Sequence, residues 1–197
     1  MLKKVVLASS NQGKLREIQQ LLAPLNWQLL SQSQLTIEDA EETGLTFVEN
    51  ALIKARHAST LAGLPALADD SGLEVDALGG KPGIYSSRFA GPDGTDQDNI
   101  TALLQAMIGV PETQRTARFH CVIVYLRHSQ DPTPLIAQGV WEGRILGNPH
   151  GNNGFGYDPV FFSPGHGRSA AQLTPEEKNS SSHRARALHA LNHLLST

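Results

Sequence analysis

Leu64-Pro65-Ala66-Leu67-Ala68-Asp69-Asp70-Ser71-Gly72-Leu73-Glu74 is the stretch that decides how this chain folds. An apolar run closes on two adjacent carboxylates, the pattern of a buried strand that ends at a polar junction. Neighbouring acids repel one another and weaken a buried sheet unless something compensates them, and a divalent cation is the simplest agent. The junction reads as the chemical centre of a protein that handles phosphates. An Asx-type turn at the strand end accounts for one of the acids but not for two.

Upstream, Val5 to Ala8 reads as a short buried strand, and Leu15, Ile18, Leu21, Leu22 and Leu25 then recur at helical spacing. Between them lies Ser9-Ser10-Asn11-Gln12-Gly13-Lys14, where free backbone amides and the positive end of the helix dipole favour a phosphate and Lys14 adds a full charge. This is not a Walker A loop, because Ala8 stands at its first glycine and Leu15 replaces the Ser or Thr that would touch magnesium. The same residues also make an ordinary N-cap with a surface lysine. Leu29 to Ser31 forms a second strand, followed by an acidic loop from Glu38 to Gly44. Thr46 opens a helix with Glu49 in capping-box position and an apolar stripe of Val48, Ala51, Leu52, Ala55 and Ala58, while Asn50 and Lys54 share another face. Magnesium takes one or two carboxylates and leaves its remaining positions to water and phosphate, so Glu41 or Glu42 plus one aspartate of the junction suits it. The glutamates alone read as a solvated acidic face.

Downstream, the Gly- and Pro-rich stretch from Leu78 to Gly94 carries Ile84, Tyr85, Arg88 and Phe89, anchors that point to an ordered loop and not a linker. A helix begins at Thr95 or Asp96 and continues through Met107. Two long strands, Ala117 to Arg127 and Leu135 to Ile145, flank the turn-forming 129–134 and predict an antiparallel hairpin, which makes the sheet of this α/β chain mixed. The second glycine-dense loop, Gly147 to Pro159, contains Phe155 and Tyr157, suited either to stacking on a base or to sealing a sheet edge. Thr174-Pro175-Glu176-Glu177 starts a further helix, and the last runs from about Ser182. Lys178 and His183-Arg184 are placed to donate hydrogen bonds, although basic residues there are more often solvated. His189 and His193 share a helical face without an acidic or cysteine partner and read as surface residues, not zinc ligands.

With 197 residues, 40 % of them hydrophobic, and neither an internal repeat nor a separating linker, residues 1–197 are read as one domain with room for two lobes. A net charge of −3 argues against a basic footprint for a nucleic acid polymer, so a nucleotide site must be a pocket. The single cysteine, Cys121, excludes an internal disulfide, suits a reducing compartment and reads as a small buried apolar side chain. The apolar N-terminal stretch is too short for a signal peptide, and no run has the length of a membrane span, which makes the cytoplasm the expected location.

Six segments in order, Ser9 to Lys14, Glu42-Thr43-Gly44 to Asn50, Ala68 to Leu73, Pro82 to Arg88, Gly154 to Pro159 and Ser182-His183-Arg184, resemble the inosine/xanthosine triphosphate pyrophosphatase family, and within it the bacterial dITP/XTP branch. The resemblance spans nearly the whole chain. It implies an elongated, two-lobed α/β subunit around a mixed, curved sheet with flanking helices, an active-site cleft between lobes, and a homodimer. It also implies magnesium-dependent hydrolysis of non-standard purine nucleoside triphosphates (ITP, dITP, XTP) to monophosphate and pyrophosphate, which sanitises the nucleotide pool. On that pattern Asp70 is the general base and a metal contact, supported by Asp69, and Glu42 is the second metal ligand. Ser9, Ser10, Asn11, Gln12, Gly13, Lys14 and Lys54 would hold the triphosphate, with Ser71 positioning substrate beside the base. Phe155 would stack on the purine in a loop with Gly156 and Tyr157, while Asp158, Lys178, His183 and Arg184 set its hydrogen-bond pattern. Donors facing a 6-oxo edge would leave the 6-amino group of adenine unsatisfied. Ser10 departs mildly from the family, in which glycine is common at that position. The competing readings are a pyrophosphatase for pyrimidine or modified-base nucleotides and a nucleotide-binding sensor without turnover.

Overall fold

The computed structural model describes residues 2–196. Seven strands form one sheet in the order β2-β1-β3-β4-β5-β6-β7. β1 (Lys3–Leu7) lies between β2 (Trp27–Ser31) and β3 (Ala66–Val75) and runs parallel to both. β4 (Thr116–Leu126) and β5 (Leu135–Ile145) are neighbours, and a connection as short as theirs joins antiparallel strands. β6 (Phe161–Ser163) and β7 (Arg168–Ser169) complete the sheet, with β5–β6 and β6–β7 antiparallel, so the sheet is mixed as expected. Among the described residues five helices accompany it: α1 (Gln12–Leu22), α2 (Phe47–Ala62), α3 (Asp96–Ala106), α4 (Pro175–Ser181) and α5 (His183–Ser196). Among the described residues, no helix is long and apolar enough to cross a membrane.

The described chain packs into two compact units. The first takes the chain up to Asp70, Cys121–Gly139 and the chain from Arg184 onward; the second takes Ser71–His120 and Val140–His183. In the first unit the period of two along each strand sorts side chains onto opposite sheet faces. Val5, Leu7, Leu67, Cys121, Ile123 and Tyr125 meet Leu15, Ile18 and Leu22 of α1 and Ala187, Leu188 and Leu191 of α5. The alternate residues Val6, Ala66, Ala68, Val122 and Val124 meet α2 through Ala51, Ala55 and Ala58, whose small side chains let helix and sheet approach closely. In the second unit a separate core gathers Leu73, Val75, Ile100, Leu103, Phe119, Trp141, Tyr157 and Phe161.

One expectation is corrected here. The strand does not end at Ala68: β3 continues through both aspartates to Val75, placing the acids within the strand. Successive residues of a strand point to opposite faces, so Asp69 shares the face of Leu67 and Asp70 that of Ala68. Their mutual repulsion is thereby reduced, and each finds its own cations. Of the anchors expected in the 78–94 loop, Phe89 packs on the second core, whereas Tyr85 is 53 % exposed with Arg88 over its ring.

Candidate active site

The first turn of α1 is built by Asn11, whose side chain caps the helix by accepting from the Lys14 amide at 3.0 Å. Ser9 Oγ accepts from the Asn11 amide, and Ser10 Oγ donates to Asp39 Oδ2 at 2.9 Å. Ser10, Asn11 and Gln12 stay exposed, Gly13 is buried, and Lys14 reaches back across the turn to Asp69. The polar turn presents a helix N-terminus with a lysine beside it, an arrangement suited to an anion.

Asp69 is almost fully buried on the α1–α5 face. Its Oδ2 lies 3.1 Å from Lys14 Nζ and 3.3 Å from Arg184 Nη2, and Arg184 is itself ion-paired to Glu17. Burial alone would raise the Asp69 pKa, but Lys14, Arg184 and Lys54 outweigh it and hold this carboxyl well below the usual carboxylate range. Asp70 faces α2, where Lys54 Nζ sits 2.6 Å from its Oδ1 and 3.0 Å from Glu42 Oε1. Burial pushes the Asp70 pKa above its ordinary value against the pull of Lys54 and Lys14, and nearby Glu42 adds to the rise. Burial works against the charge of Lys54 too, yet Asp70, Asp69 and Glu42 raise its pKa overall. Two adjacent acids thus have opposite characters: Asp69 is a fixed anion, and Asp70 is a carboxylate with raised proton affinity.

Glu42 is held near this spot by the start of α2. Thr46 caps the helix by accepting from the Glu49 amide, Glu49 accepts from the Leu45 amide at 2.8 Å, and buried Asn50 accepts from the Gly44 amide at 2.8 Å. Gly44 has no room for a side chain, since a Cβ there would lie 2.6 Å from Glu49 Cβ and 2.7 Å from Asn50 Oδ1. Glu42 and Asp70 both reach one cationic atom, Lys54 Nζ. Among the described residues no group of three or more His, Cys, Asp and Glu side chains is arranged around a metal position. The carboxylate oxygens of Glu42 and Asp70, both beside Lys54 Nζ, are the hard donors that magnesium takes.

In the second unit, Ser71 directly follows Asp70 along β3. The expected base-binding residues Phe155, Asp158, Lys178 and His183 are brought together in part. Asp158 is buried, and its Oδ2 accepts from the Phe155 amide at 3.0 Å and from Lys178 Nζ, whose ammonium lies 4.7 Å from the Phe155 ring centroid. His183 lies flat against Phe119, with ring centroids 4.7 Å apart, and against Trp141. Three expectations shift. The solvated alternative for Lys178, His183 and Arg184 is overturned, because all three are buried. Arg184, expected with the base-reading set, bonds in the first unit to Asp69 and Glu17. The Tyr157 ring enters the core and its hydroxyl donates to the Ser86 carbonyl at 2.8 Å, which favours the sealing role over base stacking for this ring.

Other participants were not singled out from sequence. Glu17 stands one helical turn from Lys14, the only local hint of its role. Asp39 carried no distinguishing signal within an acidic loop. Cys121 is buried as expected, with its thiol pushed up to about 12 by burial. His189 and His193 are exposed.

The dITP/XTP pyrophosphatase of Escherichia coli (strain K12) is 57 % identical over 190 residues, covering 96 % of this chain and 96 % of its own length. The dITP/XTP pyrophosphatase of Vibrio vulnificus (strain YJ016) is 57 % identical over 190 residues, covering 96 % of this chain and 95 % of its own. The structure of a HAM1 protein from Coxiella burnetii superposes with a TM-score of 0.91 at 52 % identity, covering 100 % of this chain and 99 % of that one. A nucleoside-triphosphatase / dITP/XTP pyrophosphatase from Mycobacterium abscessus gives a TM-score of 0.75 at 42 % identity over 95 % of this chain and 98 % of its own. Residues 5–194 match the family model of the same group, and the chain belongs to the Ham1 family.

Proposed function

We propose that this chain hydrolyses the triphosphates of inosine, deoxyinosine and xanthosine between the α- and β-phosphates, releasing monophosphate and pyrophosphate and so clearing non-standard purines from the nucleotide pool. The observation that carries this reading is the opposite character of Asp69 and Asp70: Lys14 and Arg184 hold the first as an anion, while burial raises the proton affinity of the second beside Lys54. The names of the dITP/XTP pyrophosphatase relatives support the choice of substrate.

In this mechanism Asp70 accepts a proton from water as its oxygen attacks the α-phosphorus. The bond to the bridging oxygen breaks, and its electron pair leaves with pyrophosphate. No covalent enzyme intermediate is needed. Lys14, Lys54 and the amides of the Ser9–Gly13 turn bind the triphosphate and offset its growing negative charge. Glu42 and Asp70 would hold magnesium, which supplies charge neutralisation for the phosphates when bound. Asp69 keeps Lys14 and Arg184 in position. Phe155 stacks on the purine, with Lys178 and His183 as donors toward its 6-oxo edge. Two copies of the chain form the working unit, and the cytoplasm, where Cys121 stays reduced, is its place of action.

The test is to incubate the purified chain with magnesium and a panel of purine and pyrimidine triphosphates and to resolve the products. Monophosphate and pyrophosphate from ITP, dITP and XTP, with little turnover of ATP or GTP, is the expected result. Diphosphate and orthophosphate would overturn cleavage at the α-phosphorus, preference for a pyrimidine would overturn the substrate, and binding without products would leave a sensor.

A further inference from the structure

The loop from Gly154 to Asp158 is tied down on both sides of Phe155. On the N-terminal side, the Phe155 amide donates to Asp158 Oδ2 at 3.0 Å, so closely that a Cβ on Gly154 would lie 2.0 Å from that oxygen. On the C-terminal side, the Gly156 amide donates to Asp96 Oδ2 at 2.6 Å. A peptide unit is planar, so pinning the Gly156 N–H fixes the plane that begins at Phe155 Cα. Gly156 has φ +57°, a conformation glycine adopts without the cost a side chain would incur.

Asp96 is the first residue of α3, but the helix does not depend on it for a cap. Thr95 accepts from the Asp98 amide, and Asp98 in turn accepts from the Thr95 amide at 2.9 Å, which completes a capping box without Asp96. The Asp96 side chain is exposed, and its carboxylate is directed at a loop 60 positions away in sequence. A charge-assisted bond to a backbone amide is among the stronger hydrogen bonds available to a protein.

We propose that Asp96 is a positioning residue for base recognition: through the Gly156 amide it sets the orientation of Phe155, and so governs how well a purine is held while leaving the phosphate chemistry alone. This rests on the reading of Phe155 as the residue that stacks on the base. Asp96 touches neither substrate nor the reacting atoms.

Steady-state kinetics of Asp96→Ala and Asp96→Asn with ITP, together with inhibition by inorganic triphosphate, tests the proposal. Asp96→Ala is expected to raise KM for ITP about tenfold with kcat within about twofold and the inhibition constant of inorganic triphosphate unchanged. Asp96→Asn keeps an oxygen acceptor and is expected to recover most of the loss. An unchanged KM, an equal loss of triphosphate affinity, or an Asn variant as impaired as the Ala variant would each overturn it. Phe155→Ala measured alongside separates the two levels. If Phe155→Ala raises KM and Asp96→Ala does not, only the role of Asp96 falls; if neither raises it, the stacking role of Phe155 falls as well.

Discussion

Asp69 and Asp70 are chemically identical and covalently adjacent, yet strand alternation gives them different neighbours and different work. For Asp70, replacement by Asn is expected to lower kcat by about 10²–10⁴-fold, the usual value of a general base, while nucleotide binding is largely retained. The raised pKa fixes the sign of the pH dependence. A base acts only when deprotonated, so kcat/KM falls as pH drops through a value above the ordinary carboxylate range of about 3.9, and Asp70→Asn should lose that acid limb. A limb that persists in the variant would assign it to another group. Asp69→Asn should instead act on stability, because it leaves the buried Arg184 guanidinium with less countercharge; denaturant unfolding should show a loss of about 3–5 kcal/mol. The contribution of Asp69 is full above the unfolded carboxylate pKa of about 3.9 and is lost as pH falls toward its depressed folded value, so the gap between wild type and variant should narrow in acid. A stable Asp69→Asn protein would remove the structural role from this residue.

At the scale of elements, legibility followed the distance between partners in sequence. The sequence reading of β5 has its observed ends, and the cap at Thr174 marks the start of α4, because those signals lie within a few residues. β3 runs past the end its sequence pattern predicts because the cations that let it continue past Ala68 come from α1, α2 and α5, and no local pattern shows them. Likewise the phosphate turn was visible in its own residues, whereas the inward duties of Tyr157 and Asp158 depend on Ser86 and Lys178, 71 and 20 positions away. Asn50, on the first turn of α2, shows how an element can place a functional side chain it does not carry. Its Oδ1 holds the Gly44 amide, two residues beyond Glu42. Asn50→Ala should cost about 1–3 kcal/mol by leaving that amide unpaired, and should raise the magnesium concentration needed for half-maximal activity. Thermal unfolding and a magnesium titration check the pair of effects; a destabilised variant with an unchanged magnesium requirement would disconnect Asn50 from Glu42.

For the molecule as a whole, the path of the chain bears on whether 1–197 behaves as one domain. The chain passes from one compact unit to the other after Asp70, His120, Gly139 and His183. The first three passages occur inside β3, β4 and β5, so neither unit is a continuous piece that truncation would isolate. Strands that contribute to both units are lost together once their backbone ladder opens, and we propose that the chain unfolds as a single cooperative domain. Each unit contains its own reporter. Cys121 lies in the core of the first unit with its thiol pushed up to about 12, so it should resist thiol reagents until that core opens. Trp141 lies in the core of the second, and Trp27→Phe would leave it as the sole tryptophan. In a urea titration of that variant, Cys121 labelling and Trp141 fluorescence should share one midpoint and one slope. Separate midpoints would make the two units independent domains.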